Sequence, residues 1–337
     1  MYADALRNGR KIFAVAPMID WTDTHCRYFH RVLTRHALLY TEMVVADAII
    51  HGPRDRLLGH DASEHPVALQ LGGSDPAKLV EAVRIAADYR YDEINLNVGC
   101  PSDRVQSGTF GACLMREPQT VEACVAAMKR VTTLPVTVKS RIGVDDQEPE
   151  TVLPDFLRRM IGAGADAIWI HARKAWLQGL SPKENREVPP LDYPLVYRMK
   201  RENPDVFLGI NGGIADLDAA AMHLEHMDGV MLGRAAYQHA ALLADVDHRV
   251  YGAPARAADW DGVRDTMMAY AARHMAAGGK LHHVTRHMVG LFQGLAGARR
   301  FRQILSTDAN RPGAGPEVIA AAFAAVDLDA GRDVLSA

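Results

Sequence analysis

Eight short apolar runs recur along the first 233 residues, and each is bounded by glycine, proline or polar positions. The runs cover residues 13–18, 39–43, 67–72, 93–98, 135–140, 167–171, 206–211 and 229–233. Runs of this length that are rich in β-branched and apolar residues are typical of buried strands. The pattern therefore predicts eight strands.

Amphipathic segments separate these runs, and several of them begin with helix start signals. Asp75 is a capping residue and Pro76 fits the first turn of a helix predicted over residues 77–89. Similar signals precede helices predicted over 120–131 and 217–227. Eight strand–helix repeats predict a (β/α)8 TIM barrel. The alternative, an open doubly wound sheet, usually carries a GxGxxG turn after its first strand, and no such turn follows a strand here.

The strand pattern stops near residue 240, and helical periodicity continues over residues 258–277, 281–305 and 316–326. We therefore predict a barrel domain at 1–240 and an all-α domain at 241–337. The segment from Lys280 to Arg311 holds six Lys or Arg and one acid, which gives 6 − 1 = +5. Such a run is ordinarily a solvated helix face, so its meaning depends on its position.

The composition narrows the class of protein. Of the 337 residues, 48% are hydrophobic and 23% are charged, which is enough apolar material for a substantial core. The 38 Lys and Arg residues against 41 Asp and Glu residues give a formal net charge of 38 − 41 = −3. That balance excludes a generally polybasic nucleic-acid binder but allows a local basic face. The chain shows no apolar stretch of about 18 residues and no signal-peptide pattern, so we expect neither membrane insertion nor export.

Cysteine and histidine usage argues against a metal centre. The four cysteines are scattered and form no CxxC pair, which excludes a disulfide scaffold or a cysteine zinc site and favours the reducing cytoplasm. The pairs His223/His226 and His283/His287 match no full metalloenzyme motif. The sequence therefore predicts no metal site, and these histidines are expected at the surface.

Polar residues stand at the ends of seven of the eight predicted strands. In a TIM barrel these ends and the following loops share the face that carries the active site. Each residue alone is an ordinary loop or capping residue, but the set predicts a site. The set is Pro17-Met18-Ile19, Gln70, Asn95 and Asn97, Lys139 and Arg141, His171 and Arg173, Asn211-Gly212-Gly213, and Gly233-Arg234.

Several of these residues indicate the class of ligand. The glycines that follow the last two strands, together with Arg234, fit a phosphate cradle. A buried Lys139 needs an anionic or electron-rich partner, and a Schiff base with a carbonyl substrate is the other possibility. Gln70 offers the donor and the acceptor that the edge of a flavin pyrimidine needs. Together they favour flavin mononucleotide (FMN).

Cys100 lies between Gly99 and Pro101, just past the fourth strand. A thiol with a pKa of about 8.5 is mostly protonated at neutral pH and can donate a proton. A nucleophilic Cys–His pair is the competing role, and the sequence identifies no base for it. The Gly-rich residues 107–111 are predicted to form a mobile loop beside Cys100.

Four segments resemble the tRNA-dihydrouridine synthase family, and the resemblance extends over nearly the whole chain. They are Ala16 to Asp23, Asn95 to Ser102, His171 to Arg186, and Asn211 to Ile214. The third segment resembles the A subfamily in particular. The resemblance implies an FMN-binding TIM barrel followed by a helical domain that binds tRNA.

The resemblance also implies roles for individual residues. Cys100 would be the general acid, and Asn97 would contact the target nucleotide. Lys183, Arg186, Arg299 and Arg302 would bind tRNA. They form two pairs with i,i+3 spacing, and if each pair lies on a helix its members share one face. The residues implied in FMN binding are Pro17, Met18, Ile19, Gln70, Lys139, His171, Asn211, Gly212, Gly213, Gly233 and Arg234.

The implied reaction is the reduction of uridines 20 and 20a in the tRNA D-loop to 5,6-dihydrouridine. The uridine is flipped into the barrel mouth, hydride passes from reduced FMN to C6, and Cys100 protonates C5. NADPH or NADH then reduces FMN without a Rossmann site. We expect a cytoplasmic monomer that contacts the D-loop and elbow of tRNA.

Three alternatives to this reaction remain open at the level of sequence. The nearest is an FMN-dependent dehydrogenase of a free pyrimidine or another small molecule. The second is an aldolase or phosphate-handling isomerase that uses a Lys139 Schiff base and no flavin. The third is a non-catalytic RNA-binding module.

Overall fold

A computed structural model of the protein describes residues 1–102 and 110–328. Eight parallel strands close into a barrel in chain order, with β8 paired to β1. The strands are β1 Ile12–Val15, β2 Leu38–Val45, β3 Val67–Gly72, β4 Glu93–Val98, β5 Val136–Arg141, β6 Ala167–His171, β7 Phe207–Asn211 and β8 Gly229–Leu232. The predicted TIM barrel is confirmed, whereas residues 107–109 of the predicted mobile loop lie outside the described residues.

Helices surround the barrel wall. They are α1 Tyr2–Arg7, α2 Thr24–Leu33, α3 Ala46–His51, α4 Arg54–Leu58, α5 Pro76–Ala86, α6 Pro118–Lys129, α7 Pro149–Gly162, α8 Tyr193–Glu202, α9 Leu217–Leu224, α10 Arg234–Gln238 and α11 Leu243–Arg249. Asp75 and Asp216 cap their helices as the sequence predicts, whereas Glu117 before α6 makes no side-chain capping hydrogen bond. Asp75 accepts hydrogen bonds from the N–H groups of Ala77 and Lys78, and Pro76 occupies the first turn of α5.

Large side chains fill the barrel interior at the end opposite the predicted site. Trp169 is fully buried there, and Tyr2 packs edge-on against Phe207. Trp169 fits because two neighbours are glycines: a Cβ on Gly209 would lie 2.1 Å from its ring, and one on Gly229 would lie 2.8 Å from it. The interior is therefore a packed core, which leaves the opposite end to carry chemistry.

Four further helices follow the barrel: α12 Trp260–Ala276, α13 Leu281–Thr285, α14 Ala298–Thr307 and α15 Glu317–Phe323. Phe292, Phe301 and Phe323 meet edge to face and form the centre of their packing. None of the helices in the described ranges combines the length and apolar character that crossing a membrane requires.

The single helix predicted over residues 281–305 is wrong, because the chain leaves the helix after Thr285 and re-enters one at Ala298. A Cβ on Gly290 would lie 2.4 Å from the carbonyl oxygen of Gln238, so the backbone there packs directly on the end of α10. Gly294 and Gly297 have φ values of +96° and +87°, which do not occur in a right-handed helix.

The division into domains at 240/241 remains a prediction. The helix just after it, α11, is tied to the barrel: the carboxylate of Asp247 accepts hydrogen bonds from the Thr34 hydroxyl at 2.6 Å and from the Arg35 N–H at 2.8 Å.

Candidate active site at the barrel mouth

A chain of hydrogen-bonded side chains runs from the barrel interior toward its mouth. Thr137 donates to the carboxylate of Glu93, and Asn95 Nδ2 donates to Thr137 Oγ1 at 2.7 Å. Gln70 Nε2 donates to Asn95 Oδ1 at 2.8 Å, and Asn97 Nδ2 donates to Gln70 Oε1 at 2.8 Å. Because residues 93, 95 and 97 of β4 all face inward, the strand itself aligns this chain.

The chain ends on a carboxylate that accepts hydrogen bonds from three hydroxyls. Tyr2 and Tyr40 each donate to Glu93 at 2.5 Å, in addition to Thr137. Burial raises the pKa of Glu93 to about 7, and the three hydroxyl donors oppose that rise. An ionised carboxylate can only accept hydrogen bonds. Each side chain in this hydrogen-bonded row, from Thr137 to Asn97, therefore donates toward Glu93.

The far end of the chain holds the turn that carries Cys100. Asn97 Oδ1 accepts hydrogen bonds from the N–H groups of Gly99 at 3.1 Å and Cys100 at 2.9 Å. The Cys100 thiol is partly buried, and within the described residues its hydrogen-bond partner is the Ser102 hydroxyl at 3.6 Å. A hydroxyl partner favours a proton donor over a Cys–His pair. Asn97, which the family resemblance implies contacts the target nucleotide, therefore also positions the turn that carries Cys100.

Arg141 is a site residue to which the sequence assigned no role. Its Nε donates to the Gly99 carbonyl at 3.1 Å, and its Nη1 donates to the carbonyls of Lys174 at 3.1 Å and Asn185 at 2.9 Å. Burial lowers the pKa of Arg141 to about 10, so it stays charged at neutral pH. Arg141 therefore joins the Cys100 turn to the loop after β6. Its signal in the sequence is its inward position two residues after Lys139.

Lys139 and His171 make the mouth rich in nitrogen groups. Lys139 Nζ donates to Asn211 Oδ1 at 3.1 Å, and Asn211 Nδ2 donates to the Met231 carbonyl at 2.6 Å. Burial, with the nearby Arg141 charge, lowers the pKa of Lys139 to about 7. Burial and the same cations lower the pKa of His171 well below its usual range, so its ring is neutral.

This arrangement favours an anionic ligand. In the described part of the chain no ion pair joins Lys139, Arg141 or Arg173 to a carboxylate, and Arg173 Nε is a buried donor without a hydrogen-bond acceptor. Cations held together without counter-charge are stabilised when an anion enters.

The two glycines that follow β7, predicted to belong to a phosphate cradle, occupy positions that favour glycine. Gly212 and Gly213 have φ values of +115° and +71°. A Cβ on Gly212 would lie 2.7 Å from the His171 ring, and one on Gly213 would lie 2.7 Å from Leu191. Only glycine therefore fits at either position without a shift of its neighbours; Gly213 is exposed, whereas Gly212 is buried and its carbonyl accepts from the Tyr193 hydroxyl at 2.7 Å.

The loops after β1 and β8 meet on the other side of the mouth. A Cβ on Gly233 would lie 3.5 Å from Met18 Sδ, so these two predicted FMN-binding residues are neighbours. Ile19 is 47% exposed and adjoins Pro17 and Met18, which are partly buried. Arg234 forms an ion pair with Glu187 at 2.5 Å, so an incoming phosphate has to compete with that carboxylate.

The predicted tRNA-binding residues fall into two separate pairs. Arg299 and Arg302 are exposed on one face of α14, as their spacing predicts, while Phe301 is buried on the other face. Lys183 and Arg186 are exposed at the two ends of a short 3₁₀ turn in the loop after β6. The Arg186 carbonyl accepts a hydrogen bond from Arg234 Nη2 at 3.4 Å, which puts the second pair beside the mouth.

Asn185 shapes the loop that carries Lys183 and Arg186, a role that sequence reasoning missed. Its side chain is fully buried and exchanges two hydrogen bonds with the Trp176 backbone, at 2.7 Å and 2.8 Å. No local pattern indicates this role, apart from the place of Asn185 inside the segment that resembles the A subfamily.

Two of the histidines expected at the surface are buried instead. His223 is 6% exposed and is hydrogen-bonded to Tyr197 at 2.6 Å, and His287 is fully buried beside Asp23 and Tyr237. Each ring has a hydrogen-bond partner, which allows a polar group to be buried.

Comparison with known proteins identifies the family of this chain. The model of the dihydrouridine synthase (Dus) family matches residues 14–326, and the chain belongs to that family. It is 55% identical to the tRNA-dihydrouridine(20/20a) synthase of Xanthomonas campestris, over 98% of this chain and 97% of that protein. It is 56% identical to the protein of the same name from Escherichia coli, over 91% of this chain and 89% of that protein.

A solved structure supports the fold alone. Morphinone reductase aligns with a TM-score of 0.52 at 13% identity, over 75% of this chain and 88% of that one. The resemblance read from the sequence is confirmed by the family match. Membership of an oxidoreductase family excludes the Schiff-base aldolase and the non-catalytic RNA-binding module. The roles of the individual site residues remain predictions.

Proposed function

We propose that this chain reduces uridines 20 and 20a in the D-loop of tRNA to 5,6-dihydrouridine. The relatives that carry this name cover nine-tenths or more of the chain at more than half identity. The structural observation that carries the proposal is a proton donor, Cys100, on a fixed turn beside a mouth rich in unpaired cations.

The residues at the mouth fit FMN. The ammonium of Lys139, with a pKa lowered to about 7, gains from a negative charge, and the exposed backbone at Gly213 can approach a phosphate. When bound, FMN supplies the hydride that reaches C6 of uracil, with NADPH or NADH as the source of electrons. We propose as its binding residues Pro17, Met18, Ile19, Gln70, Lys139, His171, Asn211, Gly212, Gly213, Gly233 and Arg234.

Cys100 supplies the proton to C5 of the uracil ring. Its backbone is held on both sides, because Asn97 accepts from its N–H and the N–H of Ala112 donates to its carbonyl at 2.9 Å. Loss of the proton leaves a thiolate, which interacts favourably with the cations of Lys139 and Arg141. The turn therefore holds the proton donor in place beside these cations.

Substrate binding uses three groups of residues. Asn97 has both acceptor sites of Oδ1 engaged and one N–H of Nδ2 donated to Gln70, which leaves one N–H for the flipped base. Lys183 and Arg186 hold the tRNA next to the mouth, and Arg299 and Arg302 hold it at α14. We also propose that the enzyme is a cytoplasmic monomer with a barrel domain at 1–240 and a tRNA-binding domain at 241–337.

An anaerobic spectroscopic experiment tests the reaction and the substrate together. The flavin-loaded protein is reduced with NADPH, and tRNA from a synthase-deficient strain is added while the absorbance is followed. We expect the oxidised flavin spectrum to return with tRNA and not with free uridine, and dihydrouridine to be found at positions 20 and 20a. Equal reoxidation by free uridine would identify a small-molecule dehydrogenase instead.

A further inference from the structure

Three histidines from distant parts of the chain meet where the barrel wall contacts the C-terminal helices. His25 lies on α2, His274 in the last turn of α12, and His283 on α13. One ring nitrogen of each lies within 4.8 Å of a ring nitrogen of the other two. Neither the family assignment nor the proposed reaction uses any of them.

Two of the three already have the spacing of ligands on one tetrahedral ion. Nε2 of His274 lies 3.2 Å from Nδ1 of His283. Two imidazole nitrogens bound to Zn²⁺ at about 2.0–2.1 Å in tetrahedral geometry lie about 3.3 Å apart. The nitrogen of His25 lies within 4.8 Å of both, so zinc binding requires this ring to move closer to the other two.

The orientation of His25 is controlled by a tyrosine. Its Nδ1 is hydrogen-bonded to the Tyr270 hydroxyl at 2.8 Å, which leaves Nε2 as the nitrogen to offer a metal. Tyr270 in turn stacks on Tyr28 with ring centroids 3.9 Å apart. Histidines that ligate metals typically have their other ring nitrogen held in this way.

The backbone between α12 and α13 is shaped around His274. Gly278 has a φ of +86°, and a Cβ on Gly279 would lie 2.1 Å from Nε2 of His274. Only glycine lets the chain turn this tightly against the ring and return His283 to it.

We propose that His25, His274 and His283 form a Zn²⁺ site with an open fourth position that ties α2 of the barrel to α12 and α13. Three imidazole ligands suit zinc, with water in the fourth position. Sequence spacing did not reveal this site, because its ligands lie 249 and 9 residues apart along the chain. A link between such distant residues restricts the unfolded chain, so zinc stabilises the packing of the C-terminal helices on the barrel.

The first test measures zinc on the full chain, prepared without a histidine tag and stripped with EDTA. Zn²⁺ is titrated in competition with a chromophoric chelator, and Co²⁺ is substituted to record its visible spectrum. We expect one Zn²⁺ per chain, the intense bands of tetrahedral Co²⁺, and a Tm about 4 °C higher at a zinc concentration 100 times the Kd. Substoichiometric zinc, or an octahedral Co²⁺ spectrum, would overturn the proposal.

Variants separate this site from general binding to surface histidines. His25→Gln and His274→Ala are expected to weaken zinc binding at least tenfold, whereas His226→Ala, which removes an exposed histidine beside α9, leaves it unchanged. His274→Glu keeps a zinc ligand at the same place and is expected to retain binding, which distinguishes lost coordination from a folding defect. If zinc affinity is the same in His25→Gln as in the wild type, the proposed site is wrong.

Discussion

The barrel mouth and the outer face of α14 both collect positive charge, but they hold it in opposite ways. At the mouth, Lys139 and Arg141 are largely enclosed, and each donates hydrogen bonds to specific oxygen atoms. On α14, Arg299 and Arg302 are exposed above an apolar inner face. Enclosed cations have fixed positions and shifted pKa values, whereas exposed ones act through attraction to phosphates. The first group serves chemistry and the second serves binding.

Removing the proton donor is expected to have the largest effect, because it slows the chemistry at the mouth and leaves the binding of tRNA at α14 unchanged. We expect Cys100→Ala to slow the reduction of tRNA by about 10²–10⁴ while tRNA affinity stays unchanged, because a general acid contributes a rate factor of that size. Single-turnover reoxidation of the reduced enzyme measures it. Cys113→Ala removes another partly buried thiol, one that donates to the Phe110 carbonyl, and is the matched control. Near-wild-type turnover by Cys100→Ala would remove this residue from the role.

The next largest effect is expected when a cation at the mouth keeps its charge but changes its shape. Arg141→Lys keeps a cation but has one nitrogen where Arg141 bonds to three carbonyls, so the turn that carries Cys100 loosens. We expect turnover to fall by about 10² and the free energy of unfolding by about 2 kcal/mol. Arg158→Lys, on the exposed side of α7, is the control. Equal behaviour of the two variants would show that charge alone matters at the mouth.

The pH dependence of flavin binding should show a smaller effect that belongs to the mouth alone. Burial lowers the pKa of Lys139 to about 7, so the ammonium form is lost as the pH rises above that value. Because an anionic ligand favours the ammonium, we expect FMN affinity to fall roughly tenfold between about pH 7 and pH 9. Fluorescence titration of the flavin-free protein measures it. A Lys139→Met variant with the same pH profile would contradict the assignment.

Changes on α14 should have the smallest effect, confined to binding. We expect Arg299→Ala or Arg302→Ala to weaken tRNA binding by about fivefold and to lower the salt-dependence slope by about 1, with NADPH oxidation intact. Arg84→Ala, exposed on α5 of the barrel, is the control. An unchanged slope in both variants would count against a phosphate-binding role for this helix.

Features that depend on neighbouring positions in the chain were predictable from the sequence. The eight strands follow from runs of apolar residues, the start of α5 from Asp75 and Pro76, and the shared face of Arg299 and Arg302 from their spacing. The polar strand ends were predictable as a set, because the barrel fold brings the ends of all eight strands together.

Features that depend on contacts between distant segments were not predictable. The break after Thr285 depends on the packing of Gly290 against Gln238, 52 residues earlier in the chain. The role of Arg141 depends on carbonyls 33 and 44 residues away. No local pattern in the sequence shows that these distant groups contact Gly290 or Arg141.

The directed row of amides between Glu93 and Asn97 makes the chemistry of the mouth depend on the opposite end of the barrel. A row of aligned dipoles has two possible polarities, and an acceptor-only group at one terminus selects between them. The backbone N–H groups of Gly99 and Cys100 impose the same polarity from the other terminus, because both donate to Asn97 Oδ1. Protonation of Glu93 would add a donor at the base and set that terminus against the mouth. The base of the barrel, far from any substrate, thus supports the set of hydrogen bonds that the mouth can offer to a ring.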